Sequence, residues 1–262
     1  GLGDVRLGDF LKQIGATEIG GVRPVTAELL AKMGATERRL FGLGVLFRLL
    51  RDSGRASADA RYRDGTAAVE TIFGGVSRSG DVTLTSRGVK TRSGGDVSIL
   101  APHGDVTVGV ELSSNSAQDQ GVLTEAGGNI SIFVNGSVNV GTSRIFTLRG
   151  GSEVIWASTG NIAAGASSKT VQAAPPTRVV IDTQTGSVKT DLAGLATGGG
   201  IGVLTSVAGI APGDIDLIAP RGFVDAGDAG IRVSGNLNIA AVQVLNSTNI
   251  QVTGASAGVP AA

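Results

Sequence analysis

The chain has 262 residues, of which 42 are glycine and none is cysteine, and its 22 basic and 22 acidic residues give a formal net charge of zero. The lack of cysteine excludes a small disulfide scaffold, and the balanced charge gives no reason to expect nucleic acid or an anionic membrane as a partner. Glycine without a strict three-residue period excludes collagen. No signal peptide or apolar run of 18 residues is found. Since the chain begins at Gly1 and not at methionine, we expect a processed product or a fragment.

Residues 1–74 differ in composition from the rest and predict a mostly helical cap or docking region. Of the 44 charged residues (22 plus 22), 20 lie in the first 73 positions. Capping residues and glycine stops mark the helices. The pattern predicts a short helix from Thr26 to Met33 ended by Gly34, a second from Glu37 to Arg51 capped by Thr36, and a third within Ala56–Phe73 ending before Gly74.

The run Leu40–Leu50 is apolar on most faces. Eleven residues interrupted by Arg48 are too few to cross a bilayer. We therefore expect a helix that packs against the repeats that follow, or one that docks onto another subunit. The candidate contact residues are Leu40, Phe41, Leu43, Leu46 and Phe47.

From residue 75 onward one short pattern recurs. The clearest copies are Gly213-Asp-Ile-Asp-Leu-Ile-Ala-Pro-Arg-Gly-Phe-Val-Asp-Ala-Gly227 and Gly95-Asp-Val-Ser-Ile-Leu-Ala-Pro-His-Gly-Asp-Val-Thr-Val-Gly109. Each half is a glycine, a turn residue and then alternating apolar and polar residues, which places the apolar pair on one face of a strand. Such strands bury that face by stacking, so the pattern predicts a parallel β-solenoid over residues 75–252.

The apolar pairs define the predicted core. We expect roughly seven coils, a column about 34 Å long, with a partly degenerate copy at Gly186. The predicted core residues are Val82, Leu84, Val97, Ile99, Val106, Val108, Ile130, Ile132, Val138, Val140, Ile215, Leu217, Val224, Leu237 and Ile239.

Inserts and ends complete the expected organisation. Residues 113–121, 173–177 and 193–202 are predicted loops, and 253–262 a flexible tail of small residues. No cap is predicted after the last strand, which would leave Ile250 and Val252 at an open edge as candidate subunit contacts. The helical region is the expected cap of the other end.

Several stretches together resemble one family. They are Ser143-Arg-Ile-Phe-Thr-Leu-Arg-Gly-Gly151, Trp156-Ala-Ser-Thr-Gly-Asn-Ile-Ala-Ala-Gly165, Ala174-Pro-Pro-Thr-Arg-Val-Val-Ile-Asp182, the copy at Gly213 with its continuation to Asn236 and, more loosely, Tyr62–Phe73. They are similar to the C-terminal conserved domain of filamentous-haemagglutinin-type exoproteins of Gram-negative bacteria. The resemblance covers roughly residues 37–262. It implies a right-handed parallel β-helix, an outer-membrane secretion partner and a surface or released location, and it implies no catalytic residues.

Chemical sites were weighed against structural roles. Asp214 and Asp216, with Asp225 and Asp228 nearby, could form the carboxylate pair of a glycoside hydrolase, but a turn residue and a solvated outward residue are the favoured interpretation. His103, the sole histidine, is replaced by Arg221 in the later copy, as a surface turn residue can be. The sequence predicts no zinc, calcium or phosphate site. Trp156 is expected to pack at a bulge, with sugar stacking as the alternative.

The sequence therefore predicts an all-β solenoid with an N-terminal helical cap, without a cofactor or catalytic residues. The expected function is a structural building block of an extracellular fibre or surface adhesin, whose subunits stack end to end and can meet a host or cell-surface receptor. The alternative is a carbohydrate-binding or carbohydrate-cleaving β-helix. A long acidic groove flanked by arginine or lysine would favour the alternative.

Overall fold

The computed structural model describes residues 32–75, 80–85, 88–109, 121–166, 178–181, 188–191, 198–205 and 209–260. The chain divides into two compact units, Gly1–Arg78 and Ser79–Ala262. The first contains the helices and the second contains the strands. The predicted helix Thr26–Met33 and the predicted loops 113–121 and 173–177 lie largely or wholly outside the described residues.

Two helices form the described part of the first unit, α1 (Ala35–Arg55) and α2 (Arg63–Phe73). Helix α1 begins one residue before Thr36, so the predicted cap is wrong: Gly34 is the N-cap, and its N–H donates to the Glu37 carboxylate at 2.8 Å. Helix α2 ends before Gly74 as predicted, but it begins late because Tyr62 has a left-handed backbone with φ 68°.

The apolar run of α1 is amphipathic. Its buried residues recur every three or four positions, which lines one side of the helix; they are Gly42, Leu46, Phe47, Leu50, Ser53 and Gly54. The Ser53 hydroxyl accepts the Gly65 N–H at 3.0 Å and so ties α1 to the first turn of α2. Leu40 is 65% exposed. No described helix is long and apolar enough to cross a membrane.

The second unit consists mostly of parallel strands in two sheets. Successive strands along the chain pair with strands about 19 to 33 residues away, or further where an insert intervenes, as in a solenoid. The strands are β1 Val82–Leu84, β2 Val89–Thr91, β3 Val97–Ala101, β4 Val106–Val108, β5 Val122–Thr124, β6 Ile130–Val134, β7 Val138–Asn139, β8 Arg144–Leu148, β9 Glu153–Ala157, β10 Ile162–Ala163, β11 Arg178–Ile181, β12 Val188–Asp191, β13 Gly200–Leu204, β14 Ile215–Asp225, β15 Ile231–Val233, β16 Leu237–Leu245, β17 Ile250–Val252 and β18 Ser256–Ala257.

The ten-stranded sheet has two arms. The long strands β14 and β16 bend at a corner, so that the first part of each belongs to one arm and the second part to the other. We call the arm β3–β6–β9–β14–β16–β18 the first face and the arm β1–β4–β7–β10–β14–β16 the second face. The six-stranded sheet, in the order β2–β5–β8–β13–β15–β17, is the third face. One pass through the three faces is a coil. The described strands make five complete coils and a partial coil at each end.

The core lies inside the coils. Of the fifteen predicted core residues, twelve are buried in one cluster, and Val82, Leu84 and Ile99 at the N-terminal end are half-buried against it. The register places like residues above one another, as in the row Val82, Val106, Val138, Ile162, Val224 and Val244. Each row buries β-branched side chains between equivalent neighbours in the adjoining coils.

Four expectations need correction. Each coil has a third strand that the two-strand pattern did not reveal. Val188–Asp191 is not a coil strand, because it pairs antiparallel with Arg178–Ile181. The predicted loop 193–202 ends early, since β13 begins at Gly200. The tail is also structured, because β18 pairs with β16 and Val259 packs against the core.

The glycine that opens each strand is required by close stacking of the corners. A Cβ added to Gly213 would overlap the carbonyl oxygen of Gly151 in the preceding coil, and one added to Gly235 would overlap that of Gly213. The same overlap occurs at Gly128, Gly151 and Gly222. A side chain at these positions would force the coils apart, so the coil spacing depends on these glycines.

The polar residue after the glycine links neighbouring coils. At the corner before the first face, each side-chain oxygen accepts the backbone N–H of the equivalent residue one coil on. We call this the first ladder; its acceptors Asp96, Asn129, Ser152, Asp214 and Asn236 receive the N–H groups of Asn129, Ser152, Asp214, Asn236 and Ala255 at 2.7, 2.9, 3.1, 2.9 and 2.9 Å.

A second ladder runs along the corner before the second face. It satisfies backbone donors that the strand pairing leaves at the corners. Its acceptors Asp81, Asp105, Ser137 and Asn161 receive the N–H groups of Asp105, Ser137, Asn161 and Phe223 at 2.9, 2.6, 3.1 and 3.0 Å.

Two glycine-to-alanine variants test the corner constraint. Gly213→Ala is expected to destabilise the strand unit by about 1–3 kcal/mol or to prevent its folding, because the methyl group must displace backbone. Gly44→Ala is the control: Gly44 is exposed in α1 with nothing within 4 Å of its Cβ position, so the change should stabilise the helix by about 0.5–1 kcal/mol. Urea denaturation followed by circular dichroism measures both. A Gly213→Ala chain as stable as the unsubstituted one would contradict the constraint.

Candidate functional site

The carboxylates that could have formed a hydrolase site are engaged by asparagines one coil further on. Asp214 accepts from the Asn236 amide at 3.0 Å as well as from its N–H. Asp216 is 1% exposed and accepts from the Asn238 amide at 3.3 Å. The expectation that Asp216 is a solvated residue is therefore wrong. These side chains join coils together, and both carboxylates are held by hydrogen bonds from the next coil.

A groove of about 640 Å³ runs across the second face. Asp225 is fixed in it, because its carboxylate accepts from the Asn246 amide at 2.7 Å and from the Gly227 N–H at 2.8 Å. No arginine, lysine or aromatic side chain is among the described lining residues, which are Thr107, Gly109, Asn139, Gly141, Ala163, Gly165, Ala166, Asp225, Gly227, Asp228 and Asn246. Among its described lining residues, the groove shows no flanking cation of the kind expected of a carbohydrate-cleaving site.

The remaining single residues have packing or surface positions. Trp156 is 1% exposed and its indole N–H donates to the Ser158 hydroxyl at 3.0 Å, so its ring is not available to stack on a sugar. Arg221 is exposed, whereas its counterpart His103 is half-buried, and its Nε2 has no hydrogen-bond partner among the residues that the structure describes. Within the described ranges, no group of three or more histidine, aspartate or glutamate side chains could hold a metal ion.

Buried apolar side chains also line the outer side of the first and third faces. The period-two pattern had placed mainly polar residues there. Phe133, Trp156 and Ile218 share one register row on the first face and are almost fully buried, although they point away from the core. On the third face, Leu123, Phe146 and Leu148 form a second buried cluster. The apolar outer residues Leu100, Phe133 and Ile218 could have revealed the first of these rows.

The predicted subunit-contact residues fall into two groups. Leu40 is exposed and Phe41 and Leu43 are half-buried, but Leu46 and Phe47 are 1% and 6% exposed and are not available at the surface. The expectation for these two is wrong because they lie on the buried side of α1. Ile250 and Val252 are half-buried on β17, which pairs only with β15 among the described strands.

A family model described as "Filamentous haemagglutinin family outer membrane protein" matches residues 150–261. Over these residues the chain is similar to the filamentous haemagglutinin family. The match includes β9 to β18 and therefore the third to fifth coils, a shorter span than the resemblance of residues 37–262. No curated protein and no solved structure matches the chain.

The segment that the family model matches contains a carboxyl group inside its core. Glu153 is the first residue of β9 and is 0% exposed, in the register row between Ile130 and Ile215. Neither carboxyl oxygen has a hydrogen-bond partner in the described part of the chain. Burial raises the pKa of Glu153 well above its ordinary value. Burial therefore favours the protonated, neutral form of this carboxyl group in the folded protein.

A row of threonines near Glu153 does have hydrogen-bond acceptors. At the corner between the third and first faces, stacked threonines each donate a hydroxyl hydrogen to the carbonyl of the glycine four residues on. The donors Thr91, Thr124 and Thr147 reach Gly95, Gly128 and Gly151 at 2.7, 2.9 and 3.1 Å. Glu153 follows directly after this corner and differs from the threonines in having no such acceptor or donor.

Glu153 should make stability fall as the pH rises. Because its folded pKa is raised, the folded state holds a proton that the unfolded chain loses above about pH 4.3. The contribution of this proton to the free energy of unfolding is fully present below that pH and is lost as the pH rises through the folded pKa. Thermal melts between pH 4 and 9 compare the unsubstituted chain with Glu153→Gln. The melting temperature should fall with rising pH in the parent and should fall less in the variant.

Two further variants sharpen this measurement. Glu153→Leu should raise stability by about 1–3 kcal/mol at neutral pH, because it removes a buried group without partners. Asp228→Asn changes an exposed carboxylate and should keep the pH dependence of the parent. Equal pH profiles for the parent and Glu153→Gln would show that Glu153 does not titrate across the transition.

Proposed function

We propose that the chain is a non-catalytic structural segment of a surface adhesin-type exoprotein. The family description of an outer membrane protein is consistent with a cell-surface location. The observation that carries the proposal is the hydrogen bonding in the two ladders. There, aspartate, asparagine and serine side chains accept backbone N–H groups of the next coil and so join the coils to one another. A chain that uses its carboxylates in this way is built for a regular stack and not for turnover.

The finer description of the fold is part of the same proposal. Parallel strands that return to the same sheet through a crossover are right-handed in about 98% of cases. We therefore take the solenoid to be a right-handed parallel β-helix. The resemblance further implies an outer-membrane secretion partner and contact with a host or cell-surface receptor, and both belong to the proposal.

We also propose that the subunits stack end to end into a fibre. Edge strands with unpaired backbone groups favour association, and contact between unlike ends continues into a filament unless it closes into a ring. On one end β17 has a free edge, and on the other β1, β2 and β3 are the terminal strands of their faces among the described residues.

Light scattering over a range of concentrations tests the stacking. We expect the mass of the purified chain to rise with concentration in multiples of 26.1 kDa, and negative-stain images to show rods of uniform width. A fixed mass of one subunit at every concentration would contradict end-to-end stacking and favour a monomeric fragment.

The alternative function, carbohydrate cleavage, is tested directly. We expect no release of reducing ends from pectin, alginate or glucan, because Asp214 and Asp216 are held by asparagines within the stack. The double variant Asp214→Asn with Asp216→Asn keeps an acceptor oxygen at each position and is the matched control. Cleavage by the parent chain that disappears in this variant would overturn the non-catalytic proposal.

A further inference from the structure

Each end of the described solenoid stops part-way through a coil and so has a step. The two steps are complementary. The described coils begin on the second face with β1 and continue to β2 on the third face. They finish with β18 on the first face, which pairs with β16. The N-terminal partial coil therefore supplies strands to the second and third faces, and the C-terminal partial coil supplies one to the first face. Together the two partial coils contain the strands of one complete coil.

The core rows are open at both steps. In the third-face row, Val122, Ile145 and Ile231 are 0% exposed, whereas Val89 at the N-terminal end is 38% exposed. The same row ends in Ile250, which is half-buried at the C-terminal step. The second-face row likewise runs from half-buried Val82 to half-buried Val244. Among the described residues, these end positions are more exposed than their equivalents within the row, which have a coil on each side.

We propose that a second copy of this chain docks its N-terminal step onto the C-terminal step of the first, so that β18 of one copy and β1 and β2 of the other form a composite coil. In this joint β1 pairs parallel with the end of β16, β2 pairs with β17, and β3 pairs with β18. The proposal rests on the end-to-end stacking proposed above and assigns its register. The register places Val82 opposite Val244, Lys90 opposite Gln251 and Val97 opposite Ser256.

The second ladder ends at Phe223, which has no side-chain acceptor, and the next residue in the same register row supplies a new acceptor at the joint. Gln243 pairs in register with Phe223, the last residue whose N–H is bound in that ladder. Gln243 is exposed and lies where the next acceptor belongs, opposite the N–H of Asp81 in the docked copy. The first ladder likewise ends at a residue without a side-chain acceptor, Ala255. The joint thus gains strand pairing on three faces and a ladder contact at one corner.

Disulfide cross-linking of the full chain tests the register, and the absence of native cysteine leaves no competing thiol. In the variant Lys90→Cys with Gln251→Cys, the two positions belong to outward-facing residues of terminal strands. Neighbouring strands are about 4.8 Å apart, within the roughly 7 Å Cα separation that a disulfide allows. Mild oxidation should give a series of covalent multimers on a denaturing gel, and each single variant should give at most a dimer.

A matched pair shifted along the strand provides the control. Arg92→Cys with Gln251→Cys moves one thiol two residues, about 6.6 Å along the strand, and should give few or no multimers. Light scattering on the same samples separates the two proposals. Association without preferential Lys90–Gln251 cross-linking would overturn this joint and leave end-to-end stacking intact, whereas monomers at every concentration would overturn both.

Discussion

The structure depends on how closely one corner lies on the next. Parallel coils bury their apolar rows only if backbone stacks directly on backbone, and the glycine at each corner allows this because a Cβ would overlap the carbonyl of the coil beneath. Close approach leaves backbone N–H groups that need acceptors, and a short polar side chain on the following residue supplies one. The glycine and the polar residue are thus two parts of one requirement, and their adjacency in the sequence follows from it.

This requirement explains which parts of the fold could be predicted. The glycine–polar–apolar opening marks the first and second strands of most coils, and it identified the inward side chains of both. The third strand lacks that opening and often follows an insert, so its partner is far away in sequence: Ile145 pairs with Ile201, 56 positions later. Alternation alone does not reveal the partner of a strand, and Val188–Asp191 accordingly pairs with a local antiparallel neighbour instead of a coil.

The outer residues show the same limit on prediction from a repeat pattern. Period-two alternation separates inward from outward side chains, but it does not tell whether the outward side chains are exposed to solvent. Asp216 and Trp156 both point outward, and both are buried. For Asp214 the turn interpretation from the sequence agrees with its place in the first ladder, but its partners, Ser152 and Asn236, are 62 and 22 residues away. Only the register of the coils brings these residues together.

Glu153 shows how a stack of this kind tolerates a polar residue. The stacked threonines, such as Thr124 and Thr147, point their hydroxyls back to carbonyls of their own corner and so are satisfied within one coil. Glu153 projects into an apolar row, where a neutral carboxyl is the less costly form because ionisation in a dry interior requires a paired charge. Its neighbours Ile130 and Ile215 keep the row continuous on both sides. Stability in a solenoid is close to a sum over coils and their interfaces, so the cost of Glu153 falls mainly on the third coil and its two interfaces.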